Sequence, residues 1–240
     1  MIADTARDLR AAAVAAADAS GYFPALYSRV TERIGASIEH GSFQDGPGLD
    51  RFATGFASHY FAAAHDHPHG PGCWQASWNV ASDSRLLIVQ PLLLGINAHV
   101  NYDLPRAVVE IADERGDLQS IRHDFDTVND VLAATYVDVV KDLDRVSRWV
   151  NGAARLGGGR AFNFSLTLAR ERAWQAASAM YPLSADGRRT YSQELDRLVS
   201  VLAYLITKPS PLARPFLSLA RHLEEHDSAK VVTTLLGASP

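Results

Sequence analysis

Residues 95–105, GINAHVNYDLP, set five polar side chains into an otherwise apolar stretch: Asn97, His99, Asn101, Tyr102 and Asp103. On a continuous helix His99 and Asp103 are four residues apart and share a face. Two chemistries suit that pair. A neutral imidazole oriented by a carboxylate is a general base, with the Asn101 amide as a donor to a carbonyl or oxyanion. The same pair also gives one divalent metal such as zinc a nitrogen and an oxygen from adjacent turns. The plain alternative is that Asp103, two residues before Pro105, caps the next helix, and that His99 is a hydrogen-bonded core histidine.

The His-x-x-x-Asp pair resembles one used by zinc-dependent phospholipases and related nucleases, which are all-helical. A second candidate, His123 with Asp124, resembles the dipeptide of the HD phosphohydrolases, with His99 as the distant histidine. His99, Asp103 and His123 are therefore the candidate metal ligands. Against this, Asp124 and Asp126 suit the start of a long helix, where its dipole favours acids. Three histidines in HDHPH (His65, His67, His69) could hold a transition metal. The glycines and prolines that follow make that segment an exposed loop over 65–73. Arg170 and Trp174, four apart on a helix, suit a guanidinium on an indole or a cation pairing a buried acid. The stretch LGGGR, 156–160, lacks the Walker spacing and lysine, so no nucleotide cofactor is expected. A serine-nucleophile elbow is also missing.

The elements that must carry these residues read as helices throughout. Apolar residues recur every three or four positions: Phe23, Leu26, Tyr27, Val30 and Ile34; Phe52, Phe56, Tyr60 and Phe61; Val128, Leu132, Tyr136, Val139, Leu143 and Val146. Residues 1–20 form an alanine-rich helical start. Gly35 reads as a stop, and Pro91 as a kink within a helix over about 82–102. Pro105 opens a further helix, and later helices cover 163–180, 189–207, 211–224 and 226–236. No useful alternating strand or internal repeat is present. The 240 residues, 47% hydrophobic, predict a single all-α domain, 1–240, of about eight to ten helices. A net charge of −4 argues against nucleic acid as a partner. One cysteine, Cys73, excludes a disulfide framework and a cysteine zinc site. No apolar run spans a bilayer and the N-terminus lacks a signal-peptide pattern, so a cytoplasmic protein without a membrane partner is expected.

Several of these segments together resemble a bacterial, largely actinobacterial family grouped as domain of unknown function 5995. The resemblance runs from about residue 22 to 206. Its most specific part is LGINAHVNYDLPRAVV, 94–109. Leu26-Tyr27 with Val30-Thr31, Tyr60-Phe61, Asp124-Phe125 with Val128-Asn129, and Ala169-Arg170 with Ala173-Trp174 support it. The resemblance implies an all-α fold whose motif residues converge on one internal site. It transfers no activity. Asn97, Tyr102, Asp124, Asn129, Arg170 and Trp174 are then expected to bind substrate around the catalytic candidates His99, Asp103 and Asn101. The expected function is a biosynthetic enzyme on a small, partly apolar metabolite, either an acid–base cyclase or isomerase or a metal-dependent hydrolase. The alternative is a non-catalytic small-molecule-binding or structural helical protein.

Overall fold

Asp45 starts the third helix: its carboxylate accepts the Gly48 amide at 2.8 Å, and Pro47 occupies the first turn where no N–H is needed. Comparable signals punctuate the whole chain. In the computed structural model, which describes residues 1–150, 159–208 and 214–237, the helices are α1 (Ile2–Ala15), α2 (Tyr22–Glu39), α3 (Gly46–His65), α4 (Gly72–Trp78), α5 (Val89–Ala98), α6 (Leu104–Arg115), α7 (Arg122–Val146), α8 (Gly159–Met180), α9 (Ala185–Thr207), α10 (Arg214–His222) and α11 (Ser228–Leu235). Among the described residues there is no strand beyond one isolated bridge, Ser147 to Glu224. The molecule is a single all-α domain of about ten helices. No helix is long and apolar enough to cross a membrane among the described residues.

Two boundaries depart from the sequence reading. Gly35 does not stop α2, which runs to Glu39; an isolated glycine costs a helix only about 1 kcal/mol. Residues 81–88 are turns rather than helix, so Pro91 falls in the first turn of α5 and kinks nothing. Side chains hold those turns. Gln90 accepts the Leu87 amide at 2.9 Å, and Glu224 accepts the Ile88 amide at 2.9 Å. The segment 156–158 lies outside the described residues. The 65–73 segment is an exposed connection between α3 and α4, ending at the buried Cys73.

The core forms around α2. Its Phe23 and Tyr27 pack with Tyr60, Trp74 and Tyr102; its Tyr22 and Ala25 pack with Ile88, Val139 and Leu235. A third cluster joins α3, α6, α7 and α8 through Phe52, Val108, Phe125 and Trp174. Salt bridges tie α2 to α7, Arg29 to Asp142 at 2.7 Å and Arg33 to Asp138. Between these clusters the helices leave a cavity.

Candidate functional site

α5 does not end at Ala98. Its last turn widens into a π-helical turn over His99–Asp103 and continues into α6, with Pro105 in the first turn of that helix. Such turns are rare and often sit at functional sites. Here the turn delivers two buried polar groups from one strip of backbone, His99 and Asp103. Asp103 stands at the N-cap position of α6, but its carboxylate makes no cap bond. It turns inward instead. Oδ2 accepts from Trp74 Nε1 at 3.0 Å and lies 3.1 Å from His99 Nδ1. The capping alternative for Asp103 therefore fails, because its acceptor atom serves the indole and the imidazole.

Aromatic rings fix the imidazole plane. Phe56 stacks on it with centroids 3.6 Å apart and planes 10° apart, and Tyr27 lies 4.4 Å away. Phe23 meets its edge at 5.4 Å. Gly95 makes this arrangement possible, since a Cβ there would lie 2.4 Å from Phe23 Cγ. Burial holds the His99 pKa below its usual value, against the opposing pull of Asp103; nearby His59 also lowers it. The ring is thus neutral at pH 7. With Nδ1–H donated to Asp103, Nε2 carries the lone pair. That Nε2 is buried and has no hydrogen-bond partner among the described residues; Asp103 Oδ1 has none there either, with Arg106 Nη1 3.8 Å away.

His99 lines a cavity of about 230 Å³ between α2, α3, α5, α7 and α8. Phe23, Phe56, Leu92, Ile96, Leu132 and Val139 form most of its wall. Two wall hydroxyls are already used: Thr31 donates to the Tyr27 carbonyl at 2.8 Å, Thr135 to that of Val131 at 2.7 Å. Tyr27 also faces this space, and burial, with Asp103 nearby, pushes its phenol well above the usual range. Arg170 joins the wall from α8.

The remaining sequence candidates lie as follows. Asn101 donates to Asn97 Oδ1 at 3.0 Å, and Asn97 donates to the Val199 carbonyl of α9 at 3.0 Å. These two amides join α5 to α9 and are not part of the cavity wall. Tyr102 packs under Arg106, whose guanidinium carbon is 4.9 Å from the ring centre. Asp124 sits in the first turn of α7, but it accepts the amides of Gln44 and Asp45, both at 2.8 Å, and so anchors the loop before α3. Asn129 accepts from Arg170 Nε at 2.7 Å. Trp174 is a core residue against Phe125, centroids 5.1 Å apart, and it is Arg122 rather than Arg170 that lies over its indole, at 4.8 Å.

The metal set of His99, Asp103 and His123 is not assembled. His123 is exposed on α7, and among the described residues no three His, Cys, Asp or Glu side chains are grouped to hold an ion. His99 Nδ1, moreover, is committed to Asp103. His67 bonds Gln75 at 2.9 Å, so HDHPH assembles no such group either.

Sequence reasoning missed three contributors. Trp74, beyond the His/Gly/Pro break, orients Asp103, and Phe56 carries the imidazole face. Glu224, fully buried, accepts from Ser147 Oγ at 2.5 Å and Trp149 Nε1 at 2.9 Å as well as from Ile88. Only the aromatic periodicity of α3 signalled any of these.

An all-α protein with a buried Asp–His dyad beside an apolar cavity is the class that fold and site define. The chain belongs to the family of unknown function DUF5995, whose pattern it matches over residues 2–209. No curated protein and no solved structure matches it.

Proposed function

We propose that the protein is a metal-independent acid–base enzyme acting on a small, largely apolar molecule in the cavity, of the isomerase or cyclase kind. His99 is the catalytic base, and Asp103 and Trp74 are positioning residues. The observation that carries this reading is the unpartnered Nε2 of a neutral imidazole whose ring lines the cavity. A buried acceptor without a partner costs about 1–3 kcal/mol. A network built only to fix helix register gains nothing from that cost. A substrate donor offsets it.

The residues present support a simple proton cycle. Nε2 removes a proton from a C–H or O–H of the substrate; Asp103 stabilises the imidazolium that results; Nε2 returns the proton to another atom of the same molecule. Substrate and product are isomers, so no co-reactant is consumed. The apolar wall keeps water from the carbanion- or enolate-like intermediate. The cavity also has room: roughly 150 Å³ of apolar space suffices to admit benzene.

The test is proton exchange. Small molecules co-purifying with the protein are extracted, identified by mass spectrometry, and returned to apo protein in deuterium oxide. The proposal expects deuterium incorporation into the ligand, slowed about a hundredfold or more by His99→Asn, the scale for losing a general base. A ligand that binds both proteins equally and neither exchanges nor converts in either would leave a carrier protein instead.

A further inference from the structure

Arg170 is 5% exposed and contributes to the wall of the same cavity as His99. Its hydrogen bonds run to neutral acceptors: Nε to Asn129 Oδ1 at 2.7 Å, and Nη2 to the Phe125 carbonyl at 2.6 Å. Its guanidinium carbon lies 4.2 Å from the centre of the Phe125 ring. Among the described residues no carboxylate pairs with it. The acid with an electrostatic effect on it, Asp126, is exposed and accepts from Arg122 Nε at 2.7 Å, so a second cation already neutralises that charge. Arg122 also binds Glu171, at 2.7 Å. Burial brings the Arg170 pKa down to about 10, which leaves the side chain a cation at neutral pH.

A buried charge without a counter-charge is unfavourable unless function needs it. Arg170 has five N–H donors in a planar fork. Two serve Asn129 and Phe125, and Nη1 has no acceptor among the described residues. That fork matches a carboxylate. Among the described residues the wall offers no second cation: it holds no lysine, and its histidine is neutral. A dianion such as a phosphate monoester would be under-compensated here, and a neutral molecule would leave the cation unpaired. Apart from the hydroxyls of Thr31, Thr135, Tyr27 and Tyr136, the described remainder of the wall is aliphatic and aromatic.

We infer that the ligand of this cavity is a monocarboxylic acid with an apolar body, its carboxylate paired with the guanidinium of Arg170. This rests on the cavity being the binding site proposed above, and it gives Arg170 and His99 separate tasks. Arg170 recognises the acid, and His99 acts on the body of the molecule.

Isothermal titration calorimetry at pH 7.5 tests it with octanoate and 3-phenylpropanoate against their primary amides, which have nearly the same shape and no charge. The expected result is that each acid binds wild-type protein at least tenfold more tightly than its amide. Arg170→Gln, checked for folding by circular dichroism, brings that ratio close to one by weakening the acid alone. Should Arg170→Gln fail to fold, Arg170→Lys, which keeps the charge and loses the fork, is expected to reduce the ratio. The wild-type comparison needs no variant. Equal binding of acid and amide to wild type overturns the carboxylate assignment and leaves the cavity reading intact. A ratio unchanged in a folded Arg170→Gln overturns it too. Binding of neither acid nor amide overturns both.

Discussion

Gly95→Ala is the most exacting test of how α2 and α5 meet over His99. An added Cβ would stand 2.4, 2.5 and 2.6 Å from Cγ, Cβ and Cδ2 of Phe23. Rotating the ring cannot relieve this, because the Phe23 Cβ is itself among the colliding atoms. Phe23 is also held by Tyr27, Trp74 and His99, with centroids 5.4–5.5 Å away. α2 must therefore move by roughly 1 Å, and overpacking of this kind costs about 1–3 kcal/mol. The better helix propensity of alanine returns about 0.8–1.0 kcal/mol. The net expectation is a loss of about 1 kcal/mol, a fall in Tm of roughly 2–4 °C for a chain of this size. Gly55→Ala is the control. It lies within α3, with nothing within 4 Å of its would-be Cβ, so it keeps the propensity gain and raises Tm by about 2–4 °C. Scanning calorimetry reads both. Equal shifts in the two variants, or a stabilised Gly95→Ala, would refute the close packing on which the His99 site depends.

Acidification should weaken the protein through His99. Its folded pKa lies below the ordinary 6.5, so as pH falls through 6.5 the unfolded chain takes up a proton that the folded one refuses. Stability then declines by up to about 1.4 kcal/mol per pH unit until the folded pKa is reached. His99→Phe should lose this part of the slope in urea titrations at pH 5–8; identical slopes would count against a neutral buried imidazole. Trp74→Phe keeps the ring contacts with Phe23 and Trp78, at 5.4 and 5.2 Å, and removes one donor to Asp103. A loss of about 1.5–3 kcal/mol is expected from its denaturation midpoint, the scale of a hydrogen bond to a charged group. Glu224→Gln turns an amide donor towards the donors of Ser147, Trp149 and Ile88. It should cost about 1–3 kcal/mol, and a midpoint within error of wild type would refute the clamp.

The helical fold was legible because its signal is local. Phe52, Phe56 and Tyr60, or Val128, Leu132 and Val139, repeat at helical spacing whatever they pack against. The His99–Asp103 pair was legible for the same reason, as a relation four residues apart in one segment. What decided the chemistry was not local. Trp74 reaches Asp103 from 29 residues away, and it is this bond, with Nδ1 of His99, that takes Oδ2 and denies the capping role. Asp124 had the position of a helix-start acid, yet its acceptors hold backbone amides about 80 residues earlier. Glu224 stands in a polar run, HLEEHD, with no local mark of a buried role; its burial depends on the end of α7 and the start of α5 meeting there. His123 matches a metal ligand in residue type alone. The fold puts it on the exposed side of α7.

The ionisation and tautomer of His99 are what the whole account stands on, and nitrogen-15 NMR of histidine-labelled protein reads both directly. Comparison with His99→Asn assigns the two ring signals. The account predicts one protonated nitrogen, Nδ1, hydrogen-bonded to Asp103, and one bare nitrogen, Nε2, at pH 7. This pattern should persist on acidification below 6.5, where a free imidazole is already charged. Two protonated nitrogens at pH 7, or a proton on Nε2 with Nδ1 bare, would contradict it: neither form leaves Nε2 a free base.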